Sequence, residues 1–140
     1  MSDRFFLDTN VFVYAFDTRA PAKAKRAAQL IRRAVDTGQG VISFQVVQEF
    51  FNVALRRFAE PISVPEAEQY LTTVLQPLIA IHSSPALYLE ALGIAEKHRI
   101  GWYDSIIVAA ALQAGCGKLY SEDLQPGRSM DGLRIENPFA

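Results

Sequence analysis

One cysteine and two histidines in 140 residues are too few for several classes of protein. A lone Cys116 cannot close an internal disulfide and reads as a small buried hydrophobe rather than a reactive thiol. No zinc-finger ligand set exists. The longest apolar run, Ile106 to Leu112, falls far short of the ~20 residues that cross a bilayer, so membrane insertion is excluded. Met1 to Leu7 offers neither a basic region nor a small-residue cleavage site, so no signal peptide is expected and the chain should stay in the cytoplasm. Excess positive charge is also missing, since the formal net charge is −1. Proteins that hold nucleic acid mainly by counterion release are usually strongly basic. A phosphate-bearing ligand would therefore need another attractor, and divalent cations held by acidic side chains would serve. Gly/Ser linkers, repeats and low-complexity tracts are absent. With half its residues hydrophobic, the chain suits one ordinary core, and residues 1–140 are expected to form a single domain.

What is present alternates between short apolar runs and amphipathic helices. Arg4 to Leu7 predicts a buried strand, and Asp8-Thr9-Asn10 opens a helical turn through Tyr14. Pro21 starts a helix to about Asp36, stopped by Thr37-Gly38-Gln39-Gly40. Gly40 to Ser43 is a second strand. Val46, Val47, Phe50, Phe51, Ala54, Leu55 and Phe58 then recur at helical spacing, with Glu49 opposite their stripe. Ser63-Val64-Pro65-Glu66 has the form of a capping box. Leu78 to Ile81 predicts a third strand, and Ser84-Pro85 starts a helix to His98. Trp102 to Ala114 is a helix apolar on nearly every side, Lys118 to Tyr120 a strand, and Arg134 to Glu136 a last, edge strand. Such alternation predicts a mostly parallel sheet with helices on both faces, a three-layer α/β/α sandwich.

Ligands in such sheets bind beyond the carboxyl ends of the strands. Asp8 follows the first strand, Glu49 lies in the helix after the second, Asp123 follows the fourth, and Asp104 opens a helix that can point to the same edge. Each alone has a plain explanation: Asp8 and Asp104 as helix caps, Glu49 as a solvated acid, Asp123 as a turn residue. Together they repel. Carboxylates within ~5 Å of each other, at an effective dielectric near 20, oppose one another by ~3 kcal/mol. Cations would neutralise that arrangement, and hard oxygen donors suit Mg²⁺ or Mn²⁺, the metals of phosphodiester hydrolysis.

Four segments carry a family resemblance over nearly the whole chain: Phe6-Leu7-Asp8-Thr9-Asn10-Val11, Val47-Gln48-Glu49-Phe50, Trp102-Tyr103-Asp104-Ser105-Ile106-Ile107 and Tyr120-Ser121-Glu122-Asp123-Leu124. In this order they resemble the motifs of a PIN-domain ribonuclease, and within that superfamily the toxin of a VapBC-type toxin–antitoxin pair. The resemblance implies metal-dependent endonucleolytic cleavage of RNA. Asp8 and Asp104 would be the principal Mg²⁺ or Mn²⁺ ligands, Glu49 and Asp123 would complete the pocket, and Asn10 and Ser121 would support them by hydrogen bonds. The fourth motif leaves Glu122 and Asp123 as adjacent alternatives, with Asp123 preferred. A homodimer and a small antitoxin that blocks the pocket are the partners implied.

Other residues read as structural. His82 and His98 lie beside a strand and at a helix end. Lys23, Lys25, Arg26, Arg32, Arg33, Arg56 and Arg57 scatter around their helices as a solvated face instead of forming one phosphate-binding stripe. Phe50, Phe51, Phe58 and Tyr70 read as core. A haloacid dehalogenase-type phosphatase also begins with a strand and an Asp, but wants a second Asp where Asn10 stands. The remaining alternatives are a catalytically idle PIN-like binding or regulatory module and a housekeeping RNA-processing nuclease. All four acids are present, which counts against the idle module.

Overall fold

The computed structural model describes residues 2–140. Strand β1 (Phe5–Leu7) is buried at every residue, as a central strand covered on both faces must be. A short helix α1 (Thr9–Tyr14) follows directly, and then α2 (Pro21–Thr37), which Gly38 ends in the left-handed conformation at φ 68°. β2 (Gly40–Ser43) leads without a loop into α3 (Phe44–Ala54). Ser63 forms a complete capping box with Glu66 at the start of α4 (Val64–Tyr70). That helix widens into a π turn (Leu71–Leu75) and resumes as α5 (Gln76–Leu78) before β3 (Ile79–Ile81). Helices α6 (Pro85–His98) and α7 (Trp102–Gln113) precede β4 (Lys118–Tyr120), and β5 (Ser129–Met130) and β6 (Leu133–Glu136) close the chain.

The strands form one sheet in the order β3-β2-β1-β4-β6-β5, all neighbours parallel except β5 against β6. From β1 the chain winds outward through β2 to β3, then returns across the sheet to β4. Right-handed crossovers in opposite directions put α2 to α5 on one face and α6 and α7 on the other. This is the expected three-layer α/β/α sandwich. No helix among the described residues is long and apolar enough to cross a membrane.

Two boundaries differ from expectation. The helix carrying Glu49 ends at Ala54, where the Arg56 and Arg57 amides both donate to the Val53 carbonyl and the chain folds back so that Ile62 N bonds Ala54 O. Leu55 is therefore exposed, and Phe58 joins the core from a loop rather than from the helical stripe. The last strand is not an edge, because the two-residue β5 pairs outside it. So short a strand has no periodicity to read.

Candidate active site

Strand order reverses at β1, and a crevice opens there between the carboxyl ends of β1 and β4. Asp8 N bonds the Tyr120 carbonyl at 3.0 Å, which registers the two strand ends. The crevice holds a cavity of about 520 Å³ walled by α3 on one side and the first turns of α7 on the other. Asp8, Glu49, Asp104 and Asp123 all line it, as do Asn10, Glu122 and Asp17, with Arg19 on the rim.

Asp8 is the N-cap of α1 and only 5% exposed. Its Oδ1 accepts from Thr9 N at 2.7 Å, and its Oδ2 accepts from Ser121 Oγ at 2.7 Å. Ser121 is fully buried and also accepts, at 3.3 and 3.4 Å, from the amides of Asp123 and Leu124. Burial outweighs these hydrogen bonds and, with the nearby charges of Asp123 and Glu49, pushes the Asp8 carboxyl up to about 7. Asp104 lies in the first turn of α7, whose N-cap is Gly101, so it is not the cap residue. Burial and then the Asp123 charge raise its pKa as well. Glu49, half-buried on α3, accepts from Thr9 Oγ1 at 2.8 Å.

Asn10 faces the same cavity, but its amide nitrogen and oxygen are both buried without a partner. The hydrogen bond to the acidic group comes instead from its neighbour Thr9. The adjacent pair in the last motif separates cleanly. Glu122 is bound through both oxygens to Tyr14 and Lys23, whereas Asp123 is exposed and is the charge felt by Asp8 and Asp104. Sequence reasoning passed over Gln45, which is buried one turn before Glu49. Its Nε2 donates to the Tyr103 carbonyl at 3.2 Å and so ties the Glu49 helix to the Asp104 helix. Lys23, placed among the solvated cations on sequence, bonds Glu122 at 3.2 Å and Tyr14 at 3.3 Å, two residues that line the cavity. Neither contact has a local signature, because the partners are far apart in the chain.

The donor set suits a hard divalent cation. Every acid in the cavity is an oxygen ligand, the unpartnered Asn10 amide adds another oxygen, and the raised Asp8 pKa marks a carboxylate that lacks positive charge beside it. Among the described residues no three His, Cys, Asp or Glu side chains converge as a ready-made cage.

An acidic crevice at the switch point of a parallel sheet defines a class, and comparison with known proteins supplies the family. The PIN domain model matches residues 5–128, and the chain belongs to that family. Its fold is similar to a toxin-antitoxin complex from Klebsiella pneumoniae, with TM-score 0.67 and 19% identity over 95% of this chain and 96% of that one. It is similar to FitAcB from Neisseria gonorrhoeae, at 0.63 and 20% over 96% and 98%. The sarcin-ricin loop cleaving toxin VapC20 of Mycobacterium tuberculosis gives 0.58 and 20% over 85% and 89%. At these identities the likeness is one of fold. No curated protein sequence matches.

Proposed function

We propose that this protein is a divalent-metal-dependent endoribonuclease that hydrolyses RNA phosphodiester bonds, and that it is the toxin of a toxin–antitoxin pair. The observation that carries the reading is the convergence of Asp8, Glu49, Asp104 and Asp123 on one cavity, with Asp8 buried and its carboxyl pushed up to about 7. Such a pocket repels an RNA phosphate unless cations occupy it. Asp8 and Asp104 would hold Mg²⁺ or Mn²⁺, with Glu49 and Asp123 completing the site. When bound, the metal supplies an acidified water and offsets charge at the scissile phosphate.

The chain's own groups prepare that chemistry. Ser121 and the Thr9 amide fix both oxygens of Asp8. Thr9 Oγ1 fixes Glu49, leaving Glu49 Oε2 free to accept a proton from a water. Gln45 holds α7 against α3, so Asp104 and Glu49 keep their separation. Among the described residues no Ser-His or Cys-His nucleophile pair lines the cavity, and the reading is direct hydrolysis by water.

Assignment as a toxin rests on the fold neighbours, which include toxin–antitoxin complexes and a toxin that cleaves the sarcin-ricin loop. A small antitoxin protein is the corresponding partner, RNA the substrate, and the cytoplasm the compartment. Residues 1–140 form a single PIN nuclease domain in this reading. A homodimer is supported by Tyr88, Leu89, Leu92 and Trp102, exposed apolar side chains on the packed pair α6 and α7.

The test is cleavage of total RNA by the wild type and by Asp104→Asn, with Mg²⁺ or Mn²⁺ and with EDTA. Cutting by the wild type alone, stopped by EDTA and restored by Mn²⁺ or Mg²⁺, is the expected result. Equal cutting by the variant, or rescue only by Zn²⁺, would overturn the site. No cutting under any condition would favour an idle PIN binding module.

A further inference from the structure

The loop after β4 carries two adjacent carboxylates with different surroundings. Glu122 Oε1 accepts from the Tyr14 hydroxyl at 2.8 Å, and its Oε2 lies 3.2 Å from Lys23 Nζ. Lys23 closes a triangle by donating to the Tyr14 oxygen at 3.3 Å, with its ammonium 4.5 Å from the centre of the same ring. Phe139 packs edge-on against that ring from the other end of the chain, centroids 4.9 Å apart. One residue before Glu122, Ser121 holds Asp8, and one residue after it Asp123 stands exposed at the cavity.

We propose that Tyr14 and Lys23 are positioning residues for the acidic loop. By holding Glu122 from α1 and α2, they fix the direction in which Asp123 meets the cavity and keep Ser121 on Asp8. This rests on the reading of Asp123 as part of the metal site.

Residues 121–124 follow the last residue of β4 and have no helix or strand of their own; the Ser121 amide donates to the Glu136 carbonyl at 2.9 Å, and beyond it the segment depends on side-chain anchors. Two neighbouring carboxylates repel, and an unanchored Glu122 would compete with Asp123 for the cavity. The charge-assisted bond from Lys23 neutralises Glu122, and the phenol bond gives it a direction. Glu122 already lines the cavity, and with both oxygens engaged it can turn them to a cation there only by breaking both contacts. Lys23 thereby acts on the site through Glu122, not as a solvated cation.

The test uses Lys23→Met, Tyr14→Phe, Glu122→Gln and the double variant Lys23→Met/Glu122→Gln. It reads Mn²⁺ affinity by calorimetry, amide hydrogen exchange at Asp123 and Leu124, and Tm. Lys23→Met is expected to weaken Mn²⁺ binding about ten-fold, the low end for losing a partner behind a metal ligand, and to speed exchange at both amides. The double variant should be no worse than the worse single one, since both break the same contact. Multiplying losses overturn the proposal. So does a fall in Tm with Mn²⁺ affinity and exchange unchanged, which makes the triangle purely structural. A Lys23→Met effect confined to the KM for RNA and its salt dependence also overturns it, making Lys23 a phosphate contact. If the wild type takes up no Mn²⁺, the metal reading fails instead, while exchange in the same variants still decides whether the loop is held this way.

Discussion

Asp8 concentrates the conflict on which this site is built. Hydrogen bonds from Ser121 and Thr9 favour its ionised form, yet burial outweighs them and moves the carboxyl from 3.8 to about 7. An acid with a raised folded-state pKa costs stability when it ionises. Below pH ~4 both folded and unfolded chains carry the proton and the cost is absent; it grows as the pH rises to about 7, and above that it is complete. Asp17, Glu66 and Asp131 are shifted the other way, by the Arg19 amide, by Ser63 and by Lys97 respectively, so they add stability above their unfolded pKa and lose it in acid. The Asp8 contribution is therefore isolated as the difference between wild type and Asp8→Asn. In EDTA, Asp8→Asn is expected to melt a few degrees above the wild type at pH 8 and to converge with it near pH 4, 1 kcal/mol being worth roughly 2–4 °C in a chain approaching 150 residues. Mn²⁺ should raise the wild-type Tm at pH 8 and leave the variant nearly unmoved. Parallel melting curves across that range would refute the assignment of Asp8 as the strained carboxylate.

At the scale of elements, β2 and α2 approach so closely that a single methyl group decides their packing. A Cβ on Gly40 would run into the Ala34 side chain and come within 2.7 Å of Ala34 Cα and 2.8 Å of the Phe5 ring. Since backbone cannot yield as a flexible side chain does, Gly40→Ala is expected to destabilise by about 1–3 kcal/mol. Gly93, in the middle of α6, has nothing within 4 Å of such a methyl. Gly93→Ala should stabilise by about 0.5–1 kcal/mol. Thermal melts of the pair check both signs, and a Gly40→Ala protein as stable as wild type would contradict the packing described. The elements themselves were largely legible, because their signals are local: the apolar β1, the Ser63 capping box, the Gly38 stop and the all-round apolar α7. That Asp8, Glu49, Asp104 and Asp123 lie near one edge of the sheet was legible in the same way, from the strand end, helix or turn that each occupies. The connections between them were not. Thr9 to Glu49, Gln45 to Tyr103 and Tyr14 to Glu122 join residues 40, 58 and 108 positions apart. No pattern within one element reports such contacts. Asn10 shows the limit from the other side, since its motif suggested a hydrogen-bonding support and its amide is bonded to nothing.

At the scale of the whole molecule, the acidic cavity and the apolar face of α6 with Trp102 both bear on partners. The cavity gathers six carboxylates and one guanidinium at the carboxyl edge of the sheet, while the α6 and α7 layer leaves Leu89 71% and Leu92 55% exposed, with the Tyr88 and Trp102 rings tilted against each other, centroids 5.7 Å apart. Burying a fully exposed side chain of this kind is worth roughly 1.5–3 kcal/mol, which would offset part of the cost of associating with a second copy of this face. A two-fold interface presents every residue twice, so one substitution places two charges in it. The expected result is that light scattering gives the wild type twice the 15.5 kDa mass of the chain, and that Leu89→Glu/Leu92→Glu gives a single chain. Because neither leucine packs into the core, the variant's Tm at high dilution should match that of the dissociated wild type. A wild type that stays monomeric at high concentration would refute the homodimer, and a variant that remains dimeric would move the interface to another face.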